Sequence, residues 1–247
     1  MGIVIENGGV LTTVQDEGRF GYQAYGVSTS GAMDSHAFHI ANLLVGNEMT
    51  EGALEMTFIG PVLRFTQDNI IAITGGDLAP MLDGLPFPMY QAVLVKKGQK
   101  LSFGGMRNGC RGYIAFAGGL DVPLVMGSKS TLLRNKLGGI DGRKLQAGDE
   151  INFTSPKTKL ANMEKRKVPV KIYPDKEIVL RVVLGPQDDE FTDAGIRLKE
   201  SLLNIKATET LIRMESLWEA FRFPLMGNRS LCLRTGRARE DMPKSEP

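Results

Sequence analysis

Between residues 14 and 34 the chain reads VQDEGRFGYQAYGVSTSGAMD, with Gly18, Gly21, Gly26 and Gly31 set among Gln15, Asp16, Arg19, Ser28, Ser30 and Asp34. Glycine reaches backbone conformations that other residues avoid. A segment this rich in it either makes tight turns or brings its backbone close to a ligand. The polar residues beside the glycines keep both readings open.

The flanks are easier to read. IVIENGGVLTTV (residues 3–14) alternates, and Asn7-Gly8 between β-branched residues predicts a hairpin. After the glycine segment the period changes. Phe38, Ala41, Leu44 and Val45 recur at helical spacing, Asp34 or Ser35 suits the N-cap, and Gly46 suits the C-terminal left-handed position. The spacing therefore predicts a helix over 34–46 packed on a sheet. From Ala53 to about residue 155 the texture is β, with short strands between glycine turns. Residues 156–169, PKTKLANMEKRKVP, are polar and bounded by prolines and read as a linker. Strands resume from Val170.

Composition excludes some partners. Thirty basic residues against 28 acidic ones give a formal charge of +2. This is no electrostatic footprint for nucleic acid or an anionic membrane. Cys110 and Cys232 stand far apart, without CxxC spacing. The N-terminus lacks a basic region followed by an apolar one, and no apolar run reaches membrane-spanning length. The expected compartment is the cytoplasm.

Few motifs carry chemistry by themselves. His36 and His39 share a predicted helix face, but only Glu48 stands near them, short of the three or four ligands a metal needs, so no metal is expected. GGLDVPLVMGSKST lacks P-loop spacing. Gly127 and Ser128 would present backbone N–H groups to an anion with Lys129 beside them, or form a plain structural turn. Arg19 offers a two-pronged donor to a carboxylate or phosphate, and Ser28, Ser30 and Asp34 precede the helix start, where N–H groups are free. The competing reading makes Asp34 a cap and Arg19 one half of a surface ion pair.

The run QDEGRFGYQAYGVSTSGAMD, then AFHIANLLVGNE, ALEMT, TGGDLAP (74–80), RGYIAFAGGLDVPLVMGSKST (111–131) and LQAGDEI (145–151) resembles the allophanate hydrolase subunit 2, or biotin-dependent carboxyltransferase, family. That family includes KipA-like proteins and the C-type subunits of bacterial 5-oxoprolinase. The resemblance covers about residues 3–197. It implies a mainly β fold with few helices, in a cyclophilin-like, two-lobed β-barrel architecture. The first lobe would span 1–155 and the second would begin at 170–197.

The resemblance also implies a KipI-like B-type partner, a possible A-type subunit, and ATP used through the complex to open the lactam of 5-oxoproline to glutamate. The chain carries no Met-Lys-Met biotin site and no region of ATP-grasp size, which favours a stand-alone 5-oxoprolinase subunit. The alternatives are a carboxyltransferase of the urea carboxylase type, which would use biotin, and a KipA-like regulator that sequesters a kinase inhibitor. For a small acidic or amide substrate, Arg19 would pair the carboxylate. Gln15, Ser28, Ser30 or Asn42 would bond the amide, and Asp16 or Asp34 would act as base or orienting group.

After Arg197 the resemblance stops. Residues 198–247 hold two of the 29 glycines, Gly227 and Gly236, and the single tryptophan, Trp218. Back-translated with free codon choice and read two bases later, residues 218–231 give GSIPISADGKPIV, and 232–244 give SADGPGTGGYAEK. Both resemble later family motifs in the right order. The tail 198–247 therefore reads as an out-of-frame, non-native segment, leaving the second lobe incomplete.

Overall fold

A computed structural model describes residues 2–170 and 172. All of them fall in the first of the two units into which the chain divides, Met1–Tyr173. The expected second-lobe start at 170–197 and the tail 198–247 lie almost wholly outside the described residues.

In chain order the elements are β1 (Gly2–Asn7), β2 (Leu11–Gln15), α1 (Ser35–Leu44), β3 (Ala53–Thr57), β4 (Val62–Phe65) and β5 (Asn69–Asp77). There follow β6 (Pro80–Leu82), β7 (Leu85–Pro86), β8 (Ala92–Val95), β9 (Lys100–Phe103), β10 (Asn108–Phe116) and β11 (Glu150–Asn152). One antiparallel sheet has the order β11-β1-β4-β9-β6-β7 and the other β2-β3-β10-β5-β8. The mainly β class stands, but the described strands form two open sheets rather than a closed barrel. The outer strands are screened differently. The edge of β2 is crossed by Thr131 and Leu145, whose N–H groups donate to Val14 and Thr12 carbonyls at 2.9 Å each, and β8 meets Arg166, whose carbonyl accepts from Ala92 N–H at 2.9 Å. Such crossings blunt an exposed edge without closing the sheet.

Strand periodicity explains the layers. Alternate residues of a strand face opposite sides. Val14, Leu54, Met56, Ile71, Ile73, Ile114 and Phe116 of the five-stranded sheet meet Ile3, Ile5, Leu63, Phe65, Leu101 and Ile151 of the other in one buried cluster. The opposite face of the five-stranded sheet is lined by the small residues Ala53, Ala72, Ala92 and Ala115, and α1 packs there through Ala37, Phe38, Ala41 and Leu44. This helix is the one α-helix among the described residues. Asp34 is its N-cap, accepting from Ala37 N–H at 3.0 Å. Arg166 donates to the carbonyls of Leu43 and Leu44 at its C-terminal end, each at 3.0 Å. Phe38 is fully buried. We expect Phe38→Ala to lower the unfolding free energy by about 3–5 kcal/mol in a urea titration.

The Asn7-Gly8 hairpin expectation fails. β1 and β2 belong to different sheets, so the turn carries the chain across the sandwich. Asn7 Oδ1 accepts from Gly9 N–H at 2.8 Å, fixing the turn locally. The turn chemistry is real, but the strands on either side find better partners elsewhere.

Near β11, Asp149 accepts from Arg143 through both guanidinium arms at 2.8 Å and from Gln146 N–H at 2.8 Å. The Arg143 bonds, aided by Gln146 N–H, hold its carboxyl below the ordinary value of 3.8. A lowered folded-state value means that this contribution is present above pH 3.8 and is lost as the pH falls through the lowered value. Urea midpoints measured from pH 6 down to about pH 2 should therefore fall less steeply for Asp149→Asn than for the parent.

Candidate functional site

The glycine segment closes on itself. Arg19 N–H donates to Thr29 O at 2.8 Å and Ala32 N–H to Asp16 O at 2.9 Å, so residues 16–19 and 29–32 run side by side. Gly18 and Gly31 sit at φ +98° and +96°, and a Cβ on either would stand 2.7 Å from the opposing backbone oxygen, of Thr29 or Glu17. Chain-to-chain approach, rather than approach to a ligand, explains these two glycines.

Asp16 and Arg19 bind the segment to a distant loop. The buried Asp16 carboxylate accepts from Gly18 N–H at 2.8 Å, Lys129 N–H at 2.6 Å, Ser128 Oγ at 2.7 Å and Ser130 Oγ. Arg19, 1% exposed, donates to the carbonyls of Ser130 and, at 3.4 Å, Val125. Burial pulls its guanidinium below the usual value, while Asp16 pushes it back up. The turn after Gly127 does hold an anion, Asp16 itself, but through the Ser128 and Ser130 hydroxyls and the Lys129 N–H; the Ser128 N–H expected to do so donates to the Val125 carbonyl. The Lys129 side chain turns the other way, to Glu51 and the Leu120 carbonyl.

Thr131 continues this loop. Its carbonyl accepts from Gln15 Nε2 at 3.1 Å and from Ser30 Oγ at 2.7 Å. Gln15 also donates to Thr13 Oγ1 at 2.9 Å and accepts from Gly31 N–H at 3.2 Å. From there a polar strip crosses the helix-bearing face of the sheet, where α1 begins. Register sets Thr13 opposite Glu55 and Glu55 opposite Tyr113, with Thr57 opposite Arg111 in the next row. Glu55 is buried. It accepts from Arg111 Nη1 at 2.7 Å, Tyr113 OH at 2.8 Å and Met33 N–H at 2.8 Å. Tyr113 OH accepts in turn from Asp34 N–H at 2.7 Å. Burial first, then the neighbouring Glu55 charge, pushes the Tyr113 hydroxyl well above its usual value, so it stays a proton donor to Glu55. Also on β10, burial raises the Cys110 thiol, which keeps it protonated.

Gln15, Ser30, the N-cap Asp34 and, one hydrogen bond away through Thr131, the Asp16–Arg19 clamp are therefore brought into one neighbourhood. Ser28 is half-buried. Asn42 is placed apart. Its amide donates to Glu51 O at 2.8 Å and accepts from Asn47 at 3.0 Å, joining α1 to the following loop. Sequence reasoning missed Glu55, Arg111, Tyr113, Ser130 and Thr131. A usable signal existed for two of them: Arg111 and Tyr113, two apart in a strand, must share a face. His39 pairs with Glu17. Among the described residues no three His, Cys, Asp or Glu side chains gather as a metal would require, and no helix is long and apolar enough to cross a membrane.

Comparison with known proteins adds the family. The model for the carboxyltransferase domain, subdomains A and B, matches residues 25–202. Urea amidolyase of Saccharomyces cerevisiae is 39% identical over 184 residues, covering 72% of this chain and 10% of that protein. The C-type subunit of 5-oxoprolinase from Escherichia coli is 39% identical over 187 residues, covering 76% of this chain and 59% of that protein. The crystal structure of the K. lactis urea amidolyase superposes with a TM-score of 0.61 at 36% identity, over 70% of this chain and 10% of that one. The chain thus spans a tenth of the length of the amidolyases and under two thirds of the bacterial protein.

Proposed function

The chain belongs to the carboxyltransferase domain family, subdomains A and B, and from that membership we propose that it serves as the C-type subunit of an ATP-dependent 5-oxoprolinase. It works in the cytoplasm with a KipI-like B-type subunit and an A-type subunit. The complex opens the lactam of 5-oxoproline to glutamate, with ATP consumed by the assembly. The observation that carries this reading is the polar strip at the start of α1, where Gln15, Ser30, Glu55, Arg111 and Tyr113 collect hydrogen-bonding groups on one sheet face. A lactam needs both an N–H acceptor and a carbonyl donor, and such a strip offers both. Asp34 and Ser28 belong to its rim in this reading. Asp16, with its oxygens committed to four donors, holds the loop that backs it.

We also propose that the codons after Arg197 are read out of frame, so that the native second lobe is not encoded by residues 198–247. Sequencing the gene tests this. A single-base insertion or deletion near codon 197 is the expected result, and an intact frame overturns it.

The functional reading is tested by growth. A strain deleted for its own C-type subunit, with 5-oxoproline as nitrogen source, should regain growth when given this gene, with the frame restored if it is broken. No growth, with the protein present and its partners expressed, contradicts the reading.

A further inference from the structure

We propose that Arg111 is the carboxylate anchor of the strip and that the site accepts small amides only when they carry an acidic group. This rests on the 5-oxoprolinase reading and names the group of the substrate that the site selects. Among the described residues, Glu55 is the one hydrogen-bond partner of the Arg111 guanidinium, and it takes Nη1. Nε and Nη2 remain for a ligand. The side chain is 15% exposed, partly desolvated yet reachable. A guanidinium edge in that state is a two-pronged receptor for a carboxylate. Glu55 does not compete for it, because its own oxygens are taken up by Arg111, Tyr113 and Met33 N–H.

A second observation points the same way. Thr57, directly opposite Arg111 in the β3–β10 register, has a buried hydroxyl with no hydrogen-bond partner. Thr57 itself is 7% exposed. A buried hydroxyl left unpaired costs stability unless something supplies a bond. The oxygen is sealed from solvent, so an acidic group held by Arg111 would supply that bond once the Thr57 side chain turns toward it. Glu55 and Thr57 stand two apart on β3, hence on one face, the face on which α1 starts. The start of a helix also favours negative charge.

The arrangement favours a lactam acid over urea. Urea is neutral and leaves the guanidinium edge unpaired. A site built to bond a polar group discriminates strongly against an analogue that lacks it.

The test is calorimetric titration of the chain, encoded with the frame restored after Arg197 if the gene proves broken there, together with its B-type partner, using 5-oxoproline and 2-pyrrolidinone, the same ring without the carboxylate. The parent protein should bind 5-oxoproline and bind 2-pyrrolidinone at least about tenfold more weakly. Arg111→Lys keeps a cation for Glu55 but loses the two-pronged edge, so its 5-oxoproline affinity should fall about tenfold or more while that for 2-pyrrolidinone is unchanged. Thr57→Val, a change that leaves the ion pair intact, should cost a smaller factor for 5-oxoproline alone. Equal 5-oxoproline affinity in the parent and in Arg111→Lys overturns the anchor and leaves the functional reading in place. Equal parent affinity for the two rings overturns the anchor as well. If the parent binds neither ring, the substrate assignment falls and the anchor with it.

Discussion

Replacing Asp16 by alanine should lower the unfolding free energy by about 4–5 kcal/mol, the largest single effect we expect at a polar residue. A hydrogen bond to an ionised group is worth about 1.5–3 kcal/mol, and bonds that share one carboxylate are less than additive. Asp16 receives four such bonds, three of them from residues 128–130. Alanine leaves Ser128, Ser130 and the Lys129 N–H buried or half-buried without their acceptor. It also removes the negative charge that offsets the buried Arg19. Denaturant titration of Asp16→Ala, Ser128→Ala/Ser130→Ala and the triple variant checks the argument. The triple variant should lose clearly less than the sum of the other two, because deleting both hydroxyls removes the groups that Asp16→Ala would orphan. Strict additivity would show that the clamp does not act as a unit.

Glu55→Ala should cost about 3–5 kcal/mol, the range for breaking a buried ion pair from one side. It strands the Arg111 charge, the Tyr113 hydroxyl and the Met33 N–H together. Glu55→Gln keeps an acceptor for two of these donors and should cost less. Because Met33 and Asp34 tie this cluster to the start of α1, amide hydrogen exchange should accelerate in residues 33–37 of Glu55→Ala before it does at the C-terminal end of the helix. Uniform acceleration along α1 would show that Glu55 does not hold the helix start.

Local elements are plain in the sequence wherever a short-range pattern is sufficient. The helical spacing of Phe38, Ala41 and Leu44 and the cap at Asp34 appear in α1 as Ser35–Leu44. Pairing between distant strands is another matter. Asn7-Gly8 looks like a hairpin, yet β1 pairs with β4 and β11 while β2 pairs with β3. Alternation tells which face a residue takes, but not which strand lies beside it.

The candidate site shows the same division. Gln15, Asp16, Arg19 and Ser30 announce themselves through the glycines around them. Glu55 does not, and the shared face of Arg111 and Tyr113 gains meaning only when β3 and β10 are neighbours. Arg19 resembles a ligand clamp because its burial is invisible in sequence. In the fold its partners are the carbonyls of a loop more than a hundred residues away.

The central claim is that this chain completes a 5-oxoproline-opening enzyme, and a purified complex tests it most directly. The chain, encoded with the frame restored after Arg197 if the gene proves broken there, is assembled with its B-type and A-type partners. ATP hydrolysis and glutamate formation are then followed together on addition of 5-oxoproline, with urea as the control. We predict that 5-oxoproline triggers ATP hydrolysis, that glutamate appears in step with it, and that urea does neither. An assembled complex whose ATP hydrolysis ignores 5-oxoproline, or responds to urea instead, would contradict the account.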